Sequence, residues 1–186
     1  MIISPVAYRY ARSLLDLSRS EGLLKGTLED MGLVAATTRG SRELITLLKS
    51  PVVKADRKAR ILEQLFAGKI GTVTAKFIQI LVRKGREALL PEIAVAFSKL
   101  YKEEQGIVDV EVRSAAPLSD IARKQVHDLA AAKHPGKSIE ISEKVDHELI
   151  GGIVIRIGDD QYDGSVARRL QDLRRKFSEN PYIPEI

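Results

Sequence analysis

The stretch from Asp146 to Ser165 reads DHELIGGIVIRIGDDQYDGS, and it decides how the second half of the chain folds. Gly151 and Gly152 lie inside its apolar run, where the absence of a Cβ indicates a bend or a close backbone approach. We predict a turn over the acidic residues that follow, 159–164. The run is largely β-branched, which is typical of a strand buried in a sheet, and it comprises Leu149, Ile150, Ile153, Val154, Ile155 and Ile157.

A helix is predicted directly after this turn, because Ser165 can cap it. Apolar residues then recur with the period of one helix face, at Val166, Leu170, Leu173 and Phe177. We predict that this stripe packs into the core, as the apolar face of a surface helix usually does. An alternative is that it holds a partner helix together with the basic residues beside or opposite it, which are Arg168, Arg169, Arg174, Arg175 and Lys176.

Upstream of this stretch the pattern predicts two more strands and one helix. Residues 108–113 alternate valine with charged residues, which indicates a strand with one solvated face. A helical stripe follows over 117–129, and alternation returns over 138–142. We therefore predict a small α/β domain over 106–177 with the element order β-α-β-β-α. We predict that residues 178–186, which contain two prolines, are extended or disordered.

The first half has a different pattern. Within residues 1–105, apolar residues recur with the helical period in six short segments that glycine or Ser50-Pro51 separates. Short connections favour antiparallel neighbours, so the sequence predicts a six-helix bundle over 1–105. The chain as a whole is predicted to be α+β.

Charge also separates the two halves. Residues 1–105 carry 18 Lys and Arg against 11 Asp and Glu, whereas residues 106–186 carry 12 against 14. This change of sign favours two units with different partners. It leaves open the alternative that the basic half is an adaptor that binds nucleic acid. The absence of cysteine excludes disulfides and thiolate chemistry, and no apolar run is long enough to span a membrane.

Residue patterns for catalysis or metal binding are incomplete in this sequence. His147-Glu148 begins like a zinc-protease helix, but Gly151 stands where the second histidine is needed. A calcium loop starting at Asp159 would need glutamate where Leu170 stands. The glycines lack the spacing of a phosphate-binding loop. We therefore expect no enzymatic activity, no metal and no cofactor.

Two basic clusters are interpreted as solvated helix faces rather than as nucleic-acid sites. Aromatic residues make up only 5% of the chain, and no platform for base stacking is visible. The clusters are Lys54, Arg57, Lys58 and Arg60, and Arg83, Lys84 and Arg86.

Several segments together resemble the delta subunit family of bacterial F-type ATP synthases, which is related to the mitochondrial oligomycin-sensitivity-conferring protein. The opening AYRYARSL at 7–14 and FIQILVRKGR at 77–86 are similar to that family's helices. The remaining matches are Ser50-Pro51, Leu90, Ile93, Phe97, Val112 through Leu118, Asp146, 149–152, 156–159, 163–165 and Leu170. None of these segments is specific alone; their order and spacing carry the resemblance over nearly the whole chain.

The resemblance implies a non-catalytic stator subunit that tethers the catalytic head to the peripheral stalk. It implies that the N-terminal bundle binds N-terminal segments of alpha subunits in a groove between the first and fifth helices, and that the C-terminal domain binds C-terminal helices of the b subunit. The residues expected in or under the first site are Tyr10, Ala11, Leu14, Phe77, Ile80 and Leu81. Those expected at the stalk contact are Gly151, Gly152, Asp163, Val166, Leu170 and Leu173.

The resemblance also implies a cellular setting. Proteins of this family meet the membrane only indirectly, through the complex, at the cytoplasmic face of the bacterial plasma membrane. The protein is expected in one copy per complex and as a monomer when isolated. No nucleic acid is among the implied partners.

Overall fold

The structure is a computed structural model that describes residues 3–158 and 160–178. Within these residues the chain is α+β, with eight α-helices and one four-stranded sheet. It divides into two compact units between Glu104 and Gln105. Each unit has its own hydrophobic core.

The first unit is helical in its described residues, and a 3-10 turn, Glu87–Leu89, precedes its last helix. Helix α6 lies centrally, because both α1 and α2 pack chiefly against it, while α4 packs against α5. The core takes residues from the predicted apolar stripe of each helix, among them Leu14, Met31, Leu48, Leu62, Leu81 and Phe97. The helices are α1 Pro5–Ser20, α2 Leu24–Gly40, α3 Arg42–Lys49, α4 Ala55–Phe66, α5 Thr72–Arg83 and α6 Leu90–Glu104.

Local signals set several of these helix ends. The Ser4 side chain accepts a hydrogen bond from the backbone N–H of Ala7, and Pro5 follows at the first helical position, where a missing N–H costs nothing. Ser41 caps α3 in the same way through the N–H of Leu44. Helix α3 ends at Lys49, just before Ser50-Pro51.

The second unit is a mixed sheet with strand order β2-β1-β3-β4. Strand β1 pairs parallel with β2 and antiparallel with β3, and β4 pairs antiparallel with β3. Valines of β1 and isoleucines of β3 form the core with Val126 and Ala130 of helix α7. The elements are β1 Ile107–Ser114, α7 Asp120–Lys133, β2 Ser138–Val145, β3 Ile153–Ile157, β4 Asp160–Asp163 and α8 Val166–Ser178.

Two sequence predictions about this unit are wrong. Residues 160–163 form the edge strand β4 rather than a turn, so the order is β-α-β-β-β-α. An edge strand needs only one ladder, and a single half-buried side chain, Tyr162, packs against the core. Ser178 belongs to α8 rather than to a tail, and residues 179–186, also predicted to be extended or disordered, lie outside the described residues.

Candidate partner-binding surfaces

Helix α1 is fixed at its start by a contact with α6. The backbone N–H of Ser4 and its hydroxyl both donate to Oε2 of Glu92, at 3.2 and 2.8 Å. A carboxylate that accepts two hydrogen bonds holds its donors more firmly than a neutral acceptor does. Ser4 therefore caps α1 and anchors it to α6 at the same time.

The α1 residues predicted at the first site lie at different depths. Ala11 and Leu14 are completely buried, so they support the surface from below. Tyr10 is half-buried and lines a hollow of about 360 Å³. The hollow lies between α1 and the turn after α5, and its lining residues are Val6, Arg9, Tyr10, Ser13 and Arg86.

Helix α5 is positioned by Asp30 of α2. Its Oδ2 accepts from the backbone N–H of Gly71 at 2.8 Å and from the Thr74 hydroxyl at 2.6 Å, which satisfies donors at the start of α5. Of the predicted α5 residues, Phe77 and Leu81 are buried, whereas Ile80 is 50% exposed. Ile80 is therefore the α5 side chain among them that a partner can cover.

Positive charge accompanies these side chains. Arg9 and Arg86 line the hollow beside Tyr10, and Arg83 lies in the last turn of α5. None of the three has an ion-pair partner among residues 3–158 and 160–178. We use the name α1–α5 surface for the residues of α1, α5 and the turn after α5 that are accessible to a partner, which are half-buried Tyr10, exposed Ile80 and these three arginines.

The glycine pair predicted at the stalk contact has a structural role. Gly152 has φ of +82°, and a Cβ there would lie 2.4 Å from the carbonyl oxygen of Gly164. The carbonyl of Gly151 accepts from the N–H of Val166 at 3.0 Å. The pair therefore fixes where α8 leaves the sheet.

Asp163 completes this junction. Its Oδ1 accepts from the backbone N–H of Ser165 at 3.0 Å, and the Ser165 hydroxyl accepts in turn from the N–H of Arg168. Hydrogen bonding to the Ser165 side chain and then to its backbone holds the pKa of Asp163 below its ordinary value. Asp163 and Ser165 therefore hold the α8 N-terminus.

The prediction that the α8 stripe packs into the core is wrong. None of the 13 residues of α8 is buried. Within residues 3–158 and 160–178, hydrogen bonds hold the start of α8, and no α8 residue belongs to the core of the second unit. The exposed fractions along the stripe are 36% for Val166, 47% for Leu170, 50% for Leu173 and 87% for Phe177.

Sequence reasoning missed the residues that position these surfaces. Asp30 and Glu92 are ordinary helix-surface carboxylates by pattern, and nothing in their spacing indicates distant partners. Lys58 is predicted on a solvated face, but it is buried: its Nζ donates to the Leu48 carbonyl at 2.9 Å and to Glu87 Oε1 at 2.7 Å. That pair ties α4 to the 3-10 turn.

Neither a metal cluster nor a membrane-spanning helix is found within residues 3–158 and 160–178. No group of three or more potential metal-ligating side chains is present there. Over the same residues, no helix has both the length and the apolar character needed to cross a membrane.

Proteins of one family are similar to this chain over both of its units. The family model described as ATP synthase delta (OSCP) subunit matches residues 6–177. The chain is similar to ATP synthase subunit delta of Cytophaga hutchinsonii, with 36% identity over 94% of each chain. It is 39% identical to that of Chlorobium luteolum, over 91% of this chain and 93% of the relative.

A solved structure shows a similar fold. In the cryo-EM structure of the Toxoplasma gondii mitochondrial ATP synthase hexamer, one chain superposes with a TM-score of 0.72. The match covers 95% of this chain and 99% of that one at 21% sequence identity.

Proposed function

The chain belongs to the ATP synthase delta (OSCP) subunit family, and from this premise we propose that its two units bind two different partners within the complex. It is a structural component of the peripheral stalk of an F-type ATP synthase and a peripheral subunit of that membrane-bound complex. The observation that carries the proposal is that the family match spans both units, each of which presents its own exposed apolar side chains.

The first partner in this proposal is the N-terminal segment of the alpha subunit. The six helices of the first unit act as a bundle that presents the α1–α5 surface. Buried Ala11, Leu14 and Leu81 support it, while Tyr10 and Ile80 meet the incoming segment. An amphipathic helix placed against such a surface is recognised through one apolar face.

The second partner is the C-terminal part of the stalk formed by the b subunit. Val166, Leu170 and Leu173 offer the contact because α8 leaves them exposed. Gly151, Gly152 and Asp163 act indirectly, by fixing the start of α8. The chain would then join head to stalk, as one copy at the cytoplasmic face of the membrane.

The torque of the rotor explains why this role needs two protein contacts that stay bound. Each charge that crosses the membrane releases about 2.3 kcal/mol per 100 mV. A catalytic head that was free to turn with the rotor would dissipate this energy. Apolar side chains contribute about 1.5–3 kcal/mol each when they are fully buried, so a few of them hold a tether in place. Nothing in the described structure favours the nucleic-acid alternative.

Calorimetry with the full chain and a synthetic N-terminal segment of the alpha subunit from the same organism tests the first contact. We expect saturable binding to the wild type and at least about 10-fold weaker binding to Ile80→Asp, because a charge then replaces an apolar contact. Val52→Asp is the matched control, since Val52 is an 88% exposed apolar residue of the same unit. Absence of binding to folded wild type, or equal losses in both variants, would contradict the proposal.

A further inference from the structure

The α8 stripe has the spacing of a helix-pairing seam. Its members follow one another at intervals of four, three and four residues, which are the two core positions of a heptad repeat. All four are exposed along a helix that buries none of its residues. Among the described residues, this face is therefore accessible to a partner helix.

Most of the basic residues of α8 lie beside this seam. In the same heptad, the positions that flank the core are occupied by Ala167, Arg169, Arg174 and Lys176. The three basic members, which we call the α8 rim, have no ion-pair partner among the described residues of the chain.

The opposite face of α8 is partly neutralised by ion pairs within the helix. Asp172 is the helix's one acidic residue, and it lies away from the seam. It pairs with Arg168 at 3.7 Å and with Arg175 at 3.8 Å. Of the four positive charges that Asp172 leaves uncompensated on α8, three therefore lie along the borders of its apolar stripe and one lies on the opposite face.

We propose that α8 takes a partner helix whose apolar stripe is bordered by glutamate or aspartate. Flanking charges of a helix pair select partners because opposite charges attract across the seam and like charges repel. A second copy of α8 is disfavoured, since it would place rim cations against rim cations. This inference rests on the proposed stalk contact, to which it adds the chemistry of the stalk helix.

Two designed peptides test the charge of the partner. Both carry leucine at the core positions of three heptads, and the flanking positions are glutamate in one and lysine in the other. Fluorescence anisotropy with the full chain gives each dissociation constant at about 50 mM and about 500 mM salt. We expect the glutamate peptide to bind about 10-fold more tightly at low salt, with this preference largely lost at high salt.

Two matched double variants of α8 test whether the preference for the glutamate peptide comes from the α8 rim. The double variant Arg169→Glu/Arg174→Glu reverses two charges of the α8 rim. The control Arg168→Glu/Arg175→Glu makes the same change in net charge on the opposite face. Circular dichroism verifies that both variants are folded. The rim variant should reverse the peptide preference, and the opposite-face variant should retain it. Wild-type salt dependence supplies a second readout that needs no variant.

The proposal is overturned if the two peptides bind equally, if neither binds, or if both variants shift the preference alike. It is also overturned if the wild type ignores the peptides but binds vesicles of phosphatidylcholine and phosphatidylglycerol, because α8 would then face a lipid surface. A C-terminal segment of the b subunit is titrated alongside. If that segment fails while the glutamate peptide binds, the proposed stalk contact falls and the charge inference stands.

Discussion

At the residue scale, Gly152 is held where a side chain has no room. Its φ of +82° is strained for any residue with a Cβ, and the Gly164 carbonyl oxygen would lie only 2.4 Å from that atom. We expect Gly152→Ala to destabilise the second unit by about 3 kcal/mol or more. Hydrogen exchange of the β3 amides measures this loss.

Substitution of Gly158 distinguishes the two causes of that loss, which are backbone strain at positive φ and crowding against Gly164. Its φ is +59°, but among the described residues no atom outside its chain neighbours lies within 4 Å of the place that a Cβ would take, so we expect Gly158→Ala to add backbone strain alone. It should cost about 1 kcal/mol. Equal losses at the two positions would show that crowding against Gly164 does not matter.

The Lys58–Glu87 pair makes a second prediction at this scale. Both side chains are at least nine-tenths buried, and Glu87 Oε2 has no hydrogen-bond partner in the described residues. We expect Lys58→Met to cost about 3–5 kcal/mol, because the carboxylate is then buried without its cation. The double variant Lys58→Met/Glu87→Leu should recover most of that loss in urea denaturation. A double variant no more stable than the single one would contradict this account.

At the scale of elements, Asp30 links two helices that are distant in sequence. Asp30→Ala removes two hydrogen bonds at the start of α5 and should cost about 2 kcal/mol. Faster hydrogen exchange should be confined to the first turn of α5. Glu29→Ala is the control, since Glu29 is an exposed neighbour on the same helix. If Glu29→Ala matched Asp30→Ala, the cap would not be the cause.

Periodicity predicts elements well where their apolar pattern is complete and poorly where contacts are tertiary. Helices α1 and α3 and strand β1 form where their apolar patterns predict them. Strand β4 is not predicted because its polar composition is typical of a turn. Its hydrogen-bonded pairing with β3 makes it a strand. The α8 stripe is visible in the sequence, but its exposure depends on what α8 packs against, which periodicity does not encode.

The same limit applies to the candidate sites. Their approximate location follows from the family resemblance, and Tyr10, Ile80 and Leu170 are available to partners in the structure. Whether Ala11 lines or supports a surface depends on depth, which the structure gives and the helical period does not. The positioning contacts of Asp30 and Glu92 join residues far apart in the chain, so no local pattern indicates them.

At the scale of the whole molecule, the central claim is that one chain holds two partners independently. Native mass spectrometry of the full chain with segments of the alpha and b subunits from the same organism tests it directly. We predict a ternary complex with one copy of each, from which Ile80→Asp removes only the alpha segment and Arg169→Glu/Arg174→Glu removes only the b segment. Competition between the two segments, or loss of both from either variant, would contradict the claim.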